Sequence, residues 1–428
     1  MNESTDRPGG PDLLELPLPK PGECPFGPPP EMAGLRERTP VVRVKCPTGL
    51  TAWLVTRYDD VREVLGDAER FSSRAGQAIH LMAHADPERP VGDLEFSRLD
   101  GADYQRFRRT IGPELSTAQR MAELRPMVQA LVDERLDALA AAGPPADFYG
   151  DFAVPVTTAA IGGLVGVPYA DRELFHNAAA VMFSGATSRA DVLEAMRPLH
   201  EYLFTMVVTR RATPADDSLS RIIARSEASE RPYTDVELVG ICAALLVPGF
   251  DTSATVMAHG LLTLLAHPEE LARLHAEPSL IPRAVEEIVR FLGGAPGIVR
   301  QATRDTEIGG HPVAGGDYVV LAMQAADRDT AAFPDPDRLD VGRRPNNHLG
   351  FGYGTHQCFG QQTARLELTV TLETLLRRVP SLRLAVPLED VPFKTGSIVY
   401  GPAEVPVAWD AVLPVAAAGG RGTGPAGR

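Results

Sequence analysis

Cys358 lies in a glycine-rich stretch near the carboxyl-terminal end of the chain, directly before a predicted helix. Residues 351–360 read Phe-Gly-Tyr-Gly-Thr-His-Gln-Cys-Phe-Gly, and an apolar stripe over 360–378 that ends before Pro380 indicates the helix. Free backbone N–H groups and the dipole at a helix N-terminus favour a thiolate, which is the form of cysteine that ligates iron. The glycines let the backbone approach a flat macrocycle. The stretch therefore predicts a haem-thiolate site.

Two other sites that glycine and cysteine can build do not fit this stretch. A dinucleotide-binding loop needs a strand before it and an acidic residue at the end of the next strand, but Glu373 lies inside the predicted helix. In a zinc site, Cys358 and His356 would supply only half of the ligands, because the other cysteines are scattered singly along the chain.

The acid–alcohol pair Asp251 and Thr252 is a second candidate for chemistry and lies inside the longest predicted helix. That helix begins with a capping box at Thr234 and Glu237 and can run to His267, a length on the order of 50 Å. Apolar turns flank the pair, so water cannot easily solvate it. A hydroxyl that holds water beside an acid that relays protons is what oxygen activation requires. We interpret the pair as a proton relay.

Pro248 precedes this pair by less than one helical turn. Proline has no N–H to donate to the carbonyl of Ala244, and its ring crowds that carbonyl. We therefore expect the helix to kink or open there, beside the expected oxygen site.

These motifs resemble those of the cytochrome P-450 family over about residues 35 to 412. Residues 351–360 match the signature Phe-Gly-x-Gly-x-His-x-Cys-x-Gly, and 248–252 match Ala/Gly-Gly-x-Asp/Glu-Thr except at the proline. The resemblance implies a mainly α fold with a smaller β region, shaped as a triangular prism with the long central helix over the haem. We expect strands around 41–55, 307–321 and 398–409. Cys358 would ligate the iron of haem b, and the other residues implied at the cofactor in these two motifs are Phe351, Gly352, Gly360 and Gly249.

Two further sets of residues match the family's structural and haem-anchoring positions. Glu287-x-x-Arg290 spans one helical turn, and the family completes such a pair with an arginine that matches Arg338. We therefore expect Glu287, Arg290 and Arg338 to form a buried structural triad. The resemblance also implies that the haem propionates are bound by four residues, with a tyrosine where histidine is commoner: Arg300, His356, Arg108 and Tyr104.

The segments that line the substrate pocket in the family are here mostly small or apolar. They are the loop 74–90, one face of the central helix, the stretch 291–299 and the turn 395–398. Such a lining favours a fairly large, weakly charged organic molecule. The residues that we assign to the pocket are Ala243, Val247, Phe250, Gly294, Ala295, Ile298, Ser397 and Ile398.

Length and composition indicate the domain organisation, the partners and the cellular compartment. The chain has 428 residues and no linker between 40 and 412, which predicts a Pro/Gly-rich arm over 1–34, one haem domain over 35–412 and a disordered tail over 413–428. A net charge of -14 without a basic stripe argues against a nucleic-acid partner. The first forty residues contain no leader or membrane span, and the unpaired cysteines suit a reducing compartment. We expect a cytoplasmic protein with no membrane partner.

The resemblance implies a monooxygenase that inserts an oxygen atom from O2 into a largely apolar small molecule. Electrons would come from NAD(P)H through a separate ferredoxin and ferredoxin reductase, because no flavin or iron–sulfur domain is fused to the chain. Heavy use of Ala, Arg, Gly and Pro suggests a high-GC bacterium, where such enzymes often tailor secondary metabolites. Oxidative C–C or C–N coupling of aromatic units stays open as an alternative, as do peroxide-driven oxidation and a non-enzymatic haem-thiolate sensor.

Overall fold

Helices make up most of the fold, which confirms the predicted class. The computed structural model describes residues 13–20, 25–75, 95–184, 187–293, 298–394 and 396–415. Its α-helices are α1 Glu31–Arg38, α2 Tyr58–Gly66, α3 Gly101–Leu115, α4 Ala118–Ala142, α5 Val154–Val165, α6 Glu173–Met182, α7 Arg189–Ala212, α8 Ser218–Glu227, α9 Asp235–Leu265, α10 Pro268–Ala276, α11 Ile281–Leu292, α12 Met323–Ala326 and α13 Gln361–Arg378. A π-helix over Phe148–Ala153 leads directly into α5.

The strands are short and form three sheets. They are β1 Leu14–Glu15, β2 Val41–Lys45, β3 Thr51–Val55, β4 Phe71–Ser72, β5 Ala146–Asp147, β6 Ile298–Ala302, β7 Thr306–Ile308, β8 His311–Val313, β9 Tyr318–Leu321, β10 Arg383–Leu384 and β11 Pro406–Ala408. The largest sheet has the order β1-β2-β3-β9-β6-β4, and the others are β10-β11-β5 and β7-β8. All three predicted strand regions contain strands. β1, from the predicted amino-terminal arm, pairs with β2.

The central helix α9 begins and continues as the sequence predicted. Thr234 and Glu237 form the capping box, and most of the helix is buried where it packs against α5 and α7. The helix continues through Pro248 instead of dividing into two helices at that position. One turn later, the Thr252 hydroxyl donates to the Pro248 carbonyl at 2.6 Å. The expected opening of this turn therefore does not end the helix.

Two segments of the described chain are long and apolar enough to cross a membrane by length and composition alone. They are Phe148–Val165 and α9, and most of each lies buried inside the protein. Burial among other helices is also the property of core helices in globular domains, and both segments belong to the main hydrophobic core.

Candidate active site

Backbone hydrogen bonds hold the loop that carries the cysteine. The Cys358 N–H donates to the Phe351 carbonyl at 2.8 Å, which folds the loop back on itself. Gly352 and Gly354 have φ values of 72° and 73°, a region that favours glycine. A Cβ on Gly354 would lie 2.7 Å from the carbonyl oxygen of Leu65 at the end of α2. Glycine at position 354 is therefore required for the loop to close against α2.

The Cys358 side chain is accessible although it lies in the interior of the fold, whereas the other two cysteines in the described ranges are buried. Desolvation raises the pKa of its thiol. The N–H groups of Gly360 and Gln361 act in the opposite direction, as do the charges of Arg108 and Arg365. A metal ion bound at the sulfur would displace the thiol proton. The accessible thiol is therefore available to ligate the metal ion of a cofactor.

Arg300, on β6, carries a buried charge that makes no ion pair with any residue the structure describes. Its guanidinium donates to the carbonyl of Val299 at 2.9 Å. Desolvation lowers its pKa to about 10, and the charge of Asp100 offsets this only in part. A buried cation without a counter-ion is costly, so this site fits an anionic group supplied by a ligand.

His356 and Tyr104 meet beside this arginine. Their rings stack with centroids 3.8 Å apart. The Nε2 atom of His356 is buried without a hydrogen bond to the residues described, and at 3.5 Å its contact with Asp100 is electrostatic only. Arg108 donates to the carbonyl of Gln357 at 3.0 Å, which places its charge at the cysteine loop. The structure thus brings all four predicted anchor residues together, and their unused donors fit the carboxylates of haem.

Gly249 lies in α9 where that helix packs closely on α5. A Cβ at this position would lie 3.1 Å from the Cγ1 atom of Ile161. At Gly360 a Cβ would come only to 3.9 Å from the Cys358 sulfur, an ordinary contact. Close helix packing therefore explains the glycine at position 249, whereas the distance to the sulfur does not explain the glycine at position 360.

Glu287 and Arg290 form a completely buried ion pair on α11, as predicted. Two guanidinium nitrogens of Arg290 each donate to a different carboxylate oxygen of Glu287 at 2.8 Å, and both side chains have an exposed fraction of 0%. Arg290 also donates to the carbonyls of Asp327 and Pro336. The pair therefore connects α11 to the chain segment before the cysteine loop.

The prediction that Arg338 completes this cluster is wrong. The side chain of Arg338 is exposed, and only its carbonyl accepts from the cluster. Arg343 takes the position instead, with its Nε atom 3.1 Å from both carboxylate oxygens of Glu287. The Arg343 guanidinium also donates to the carbonyls of Pro334 and of Arg338. The segment folds back between these positions, so the later arginine reaches the interior and the earlier one faces solvent.

Asp251 is held by two residues that the sequence analysis missed. Its Oδ1 atom accepts from the Lys394 ammonium at 2.9 Å and from the Tyr149 hydroxyl at 2.8 Å. Lys394 also donates to Thr255, one turn further along α9, at 2.8 Å. Both partners are more than a hundred positions away along the chain, and no local pattern signals the contact.

Glu367 is a buried acidic residue near Ser253 that the sequence analysis missed. It lies on α13, is buried, and its Oε2 atom has no hydrogen-bond partner within the ranges described. Desolvation raises its pKa to about 8, against a smaller opposite effect of a hydrogen bond with Ser253, the neighbour of Thr252. A glutamate inside the apolar stripe of the predicted helix was the signal that could have identified it.

The residues assigned to the substrate pocket lie in different environments. Phe250 packs against α6, where its ring stacks on His176 at 4.4 Å. Ile298, on β6, Ser397 and Ile398 are partly exposed, and Ile398 donates its N–H to Phe183 at the end of α6. The buried members on α9 are Ala243 and Val247. Gly294, Ala295 and most of the loop 74–90 lie outside the described residues.

Comparison with known proteins identifies the fold and the family. The chain is 38% identical to pentalenic acid synthase of Streptomyces avermitilis over 92% of this chain and 97% of that protein. It is 40% identical to nocardicin C N-oxygenase of Nocardia uniformis over 90% of this chain and 98% of that protein. The crystal structure of CYP105P1 in complex with filipin I superposes with a TM-score of 0.86 at 39% identity, covering 94% of this chain and all of that one.

The sequence model of cytochrome P-450 matches residues 173–399, more than half of the chain. The match includes the relay pair, the Glu287 cluster and the cysteine loop. The chain belongs to the cytochrome P-450 family.

Proposed function

We propose that this protein uses haem bound at Cys358 to insert an oxygen atom from O2 into a largely apolar product of bacterial secondary metabolism. The observation that carries the proposal is the accessible, desolvated sulfur of Cys358 beside a buried cation, Arg300, that lacks a counter-ion. The names of two relatives, a pentalenic acid synthase and a nocardicin C N-oxygenase, support the substrate class. The small and apolar residues assigned to the pocket support a bulky, weakly charged substrate.

Haem b, when bound, supplies the iron chemistry that activates O2. The protein's part on the cysteine side is to hold a sulfur ligand in place through the Phe351 carbonyl, which accepts from the Cys358 N–H. Arg300 and His356 hold the propionates, because the buried Arg300 charge has no ion pair among the described residues and the His356 Nε2 atom has no hydrogen bond there.

Thr252 and Asp251 would deliver the protons that oxygen activation at the haem requires. The Thr252 hydroxyl gives its hydrogen to the Pro248 carbonyl, which leaves the lone pairs of its oxygen to accept a hydrogen bond from water. Asp251 takes up a proton and passes it to that water. Lys394 and Tyr149 keep the carboxylate in position through its Oδ1 atom. We infer that a ferredoxin and its reductase supply the electrons from NAD(P)H in the cytoplasm.

Two measurements test this function. In the reduced protein with CO, the wild type and Cys242→Ala should show the absorption band of a thiolate-ligated haem, and Cys358→Ala should lose it. Turnover under ¹⁸O2 with NADPH, ferredoxin and reductase should give a product with one labelled oxygen. Retention of the band by Cys358→Ala would exclude the ligand. A dimeric product without label would favour oxidative coupling, and equal turnover with peroxide alone would remove the need for redox partners.

A further inference from the structure

Glu286 lies next to Glu287 on α11 but joins a different part of the protein. Its two carboxylate oxygens accept from Arg365 on α13 at 2.7 and 2.8 Å. The Nε2 atom of His348 lies 3.1 Å from the same carboxylate. The two consecutive glutamates therefore anchor two segments, because Glu287 holds the chain around Arg343 and Glu286 holds both sides of the cysteine loop.

Arg365 contacts two residues that hold Cys358. Its guanidinium lies over the ring of Phe351 at 4.5 Å and donates to the side chain of Gln361 at 2.7 Å. The Phe351 carbonyl accepts from the Cys358 N–H at 2.8 Å, and the Gln361 N–H donates to the Cys358 carbonyl at 3.5 Å. A displacement of Arg365 would therefore move Phe351 and Gln361, and through them the Cys358 side chain.

The carboxylate of Glu286 faces the guanidinium of Arg365 directly. The Nδ1 atom of His348 accepts from the Gly350 N–H at 3.1 Å, which fixes the orientation of the ring beside Glu286. Burial would raise the pKa of Glu286, but the hydrogen bonds from His348 and Arg365 outweigh it and lower the pKa to about 2. An ionised glutamate thus cancels the charge of Arg365, whose guanidinium contacts the Phe351 ring and the Gln361 side chain on either side of the cysteine.

We propose that Glu286 is a positioning residue for the cysteine ligand, which holds Arg365 against the loop and cancels its charge, and so sets how readily the iron is reduced. This inference rests on the proposed haem-thiolate function. Without the glutamate, the uncompensated positive charge favours the reduced, more negative iron–thiolate unit. Without the arginine, the uncompensated carboxylate disfavours it. The two substitutions must therefore act in opposite directions.

The test is a redox titration of the haem-loaded protein with its natural substrate site empty. Glu286→Gln should shift the equilibrium for iron reduction toward the reduced form by on the order of tenfold, and Arg365→Gln should shift it the other way by a similar factor. Glu286→Asp, which keeps the charge, should stay near the wild type. The matched control is Glu373→Gln, which removes an exposed carboxylate from the same helix, where its partner is Arg125. The Glu373→Gln variant should leave the equilibrium for iron reduction unchanged.

Opposite shifts support the charge balance, whereas an unchanged equilibrium or shifts of the same sign in both variants would overturn it. If Glu286→Gln fails to retain haem, the direction of the shift in Arg365→Gln decides the matter alone. The CO band of the wild type separates this inference from the function on which it rests. A missing thiolate band refutes the haem-thiolate site, while a normal band with unshifted variants refutes only the role of Glu286.

Discussion

Glu287 and Asp251 are both carboxylates that face a cation, but they differ in how completely their oxygens are used. Both oxygens of Glu287 accept from Arg290 and Arg343, and the backbone N–H of Asp340 adds another hydrogen bond. The bonds to Asp251 both go to one oxygen, Oδ1, and the Asp251 and Lys394 side chains are 16% and 14% exposed.

This difference separates a structural carboxylate from one that can take part in a reaction. A buried acid whose lone pairs are all engaged cannot rotate or gain a proton without leaving several donors unpaired, which fixes its geometry. An acid that is held at one oxygen and borders a less buried region can exchange partners at lower cost. The Glu287 cluster therefore supports the frame, and Asp251 is suited to proton transfer.

The largest expected effect comes from removing the Glu287 carboxylate, because both of its oxygens are fully hydrogen-bonded to Arg290 and Arg343. Glu287→Ala leaves two buried guanidinium groups uncompensated, which should cost about 3–5 kcal/mol and yield little haem-loaded protein. The structure adds a sharper comparison between two arginines. Arg343→Ala should reduce the haem-loaded yield strongly, whereas Arg338→Ala, an exposed side chain, should leave it near the wild type. A normal yield of Arg343→Ala, or a collapse of Arg338→Ala, would contradict the observed arrangement.

Substitutions at Asp251 and Thr252 should change the reaction and leave the fold intact. Thr252→Ala should still consume NADPH but release peroxide, and Asp251→Asn should slow oxygen consumption by about 10²–10⁴-fold with substrate affinity nearly unchanged. Lys394→Met removes the cation that orients the carboxylate and should raise the released peroxide by less than Thr252→Ala does. Stopped-flow kinetics and a peroxide assay measure these effects.

Thr255→Val is the matched control for this prediction, because Thr255 contacts Lys394 one turn beyond the pair. It should keep the wild-type rate and product yield. If Thr252→Ala and Asp251→Asn also keep them, the pair has a structural role, and water or the substrate must supply the proton.

Arg300 differs from both carboxylates because its counter-charge is expected from the ligand. Arg300→Leu should therefore have opposite effects on the haem-loaded and the haem-free protein. It should weaken haem retention by about tenfold to a hundredfold, through the loss of a charge-assisted hydrogen bond, and it should stabilise the haem-free protein by removing a buried charge. Haem transfer to apomyoglobin and thermal unfolding of both forms measure the two effects. Arg304→Leu, an exposed position, should change neither.

Local patterns in the sequence identified the parts of this site that depend on neighbouring residues. The glycine spacing around Cys358, the capping box at Thr234 and the one-turn separation of Glu287 and Arg290 are short-range features, and the structure contains each of them. Such features follow from backbone geometry within a few residues, so they can be predicted from the chain alone.

The contacts that were missed or misassigned depend on distant segments. Arg343 contacts Glu287 in place of the predicted Arg338, because the path of an irregular segment decides which side chain points inward. Lys394 and Tyr149 reach Asp251 from far along the chain, so no spacing rule could pair them. Only the packed fold fixes these contacts.

Glu367 completes the comparison, because it is as buried as Glu287 but has no cation in contact within the described residues. Its burial and incomplete hydrogen bonding raise its pKa from 4.5 to about 8, so the folded protein keeps this carboxyl protonated at neutral pH. The side chain therefore holds a proton beside Ser253, and it should make the stability depend on pH.

Glu367 should also confer a pH dependence on the free energy of unfolding, which sharpens the comparison with Glu287. Between pH 4.5 and about 8 the unfolded chain has lost this proton while the folded chain still holds it. Stability from this group is thus fully present below pH 4.5 and falls as the pH rises through the folded pKa, by on the order of 1.4 kcal/mol per pH unit. Glu367→Gln keeps the shape without the titration, so wild type should lose stability relative to this variant from pH 5 to pH 8. Denaturant unfolding at pH 5, 6.5 and 8 measures the difference, with Glu373→Gln as an exposed control on the same helix that should follow the wild type. A constant difference across this range would mean that Glu367 is already ionised in the folded protein.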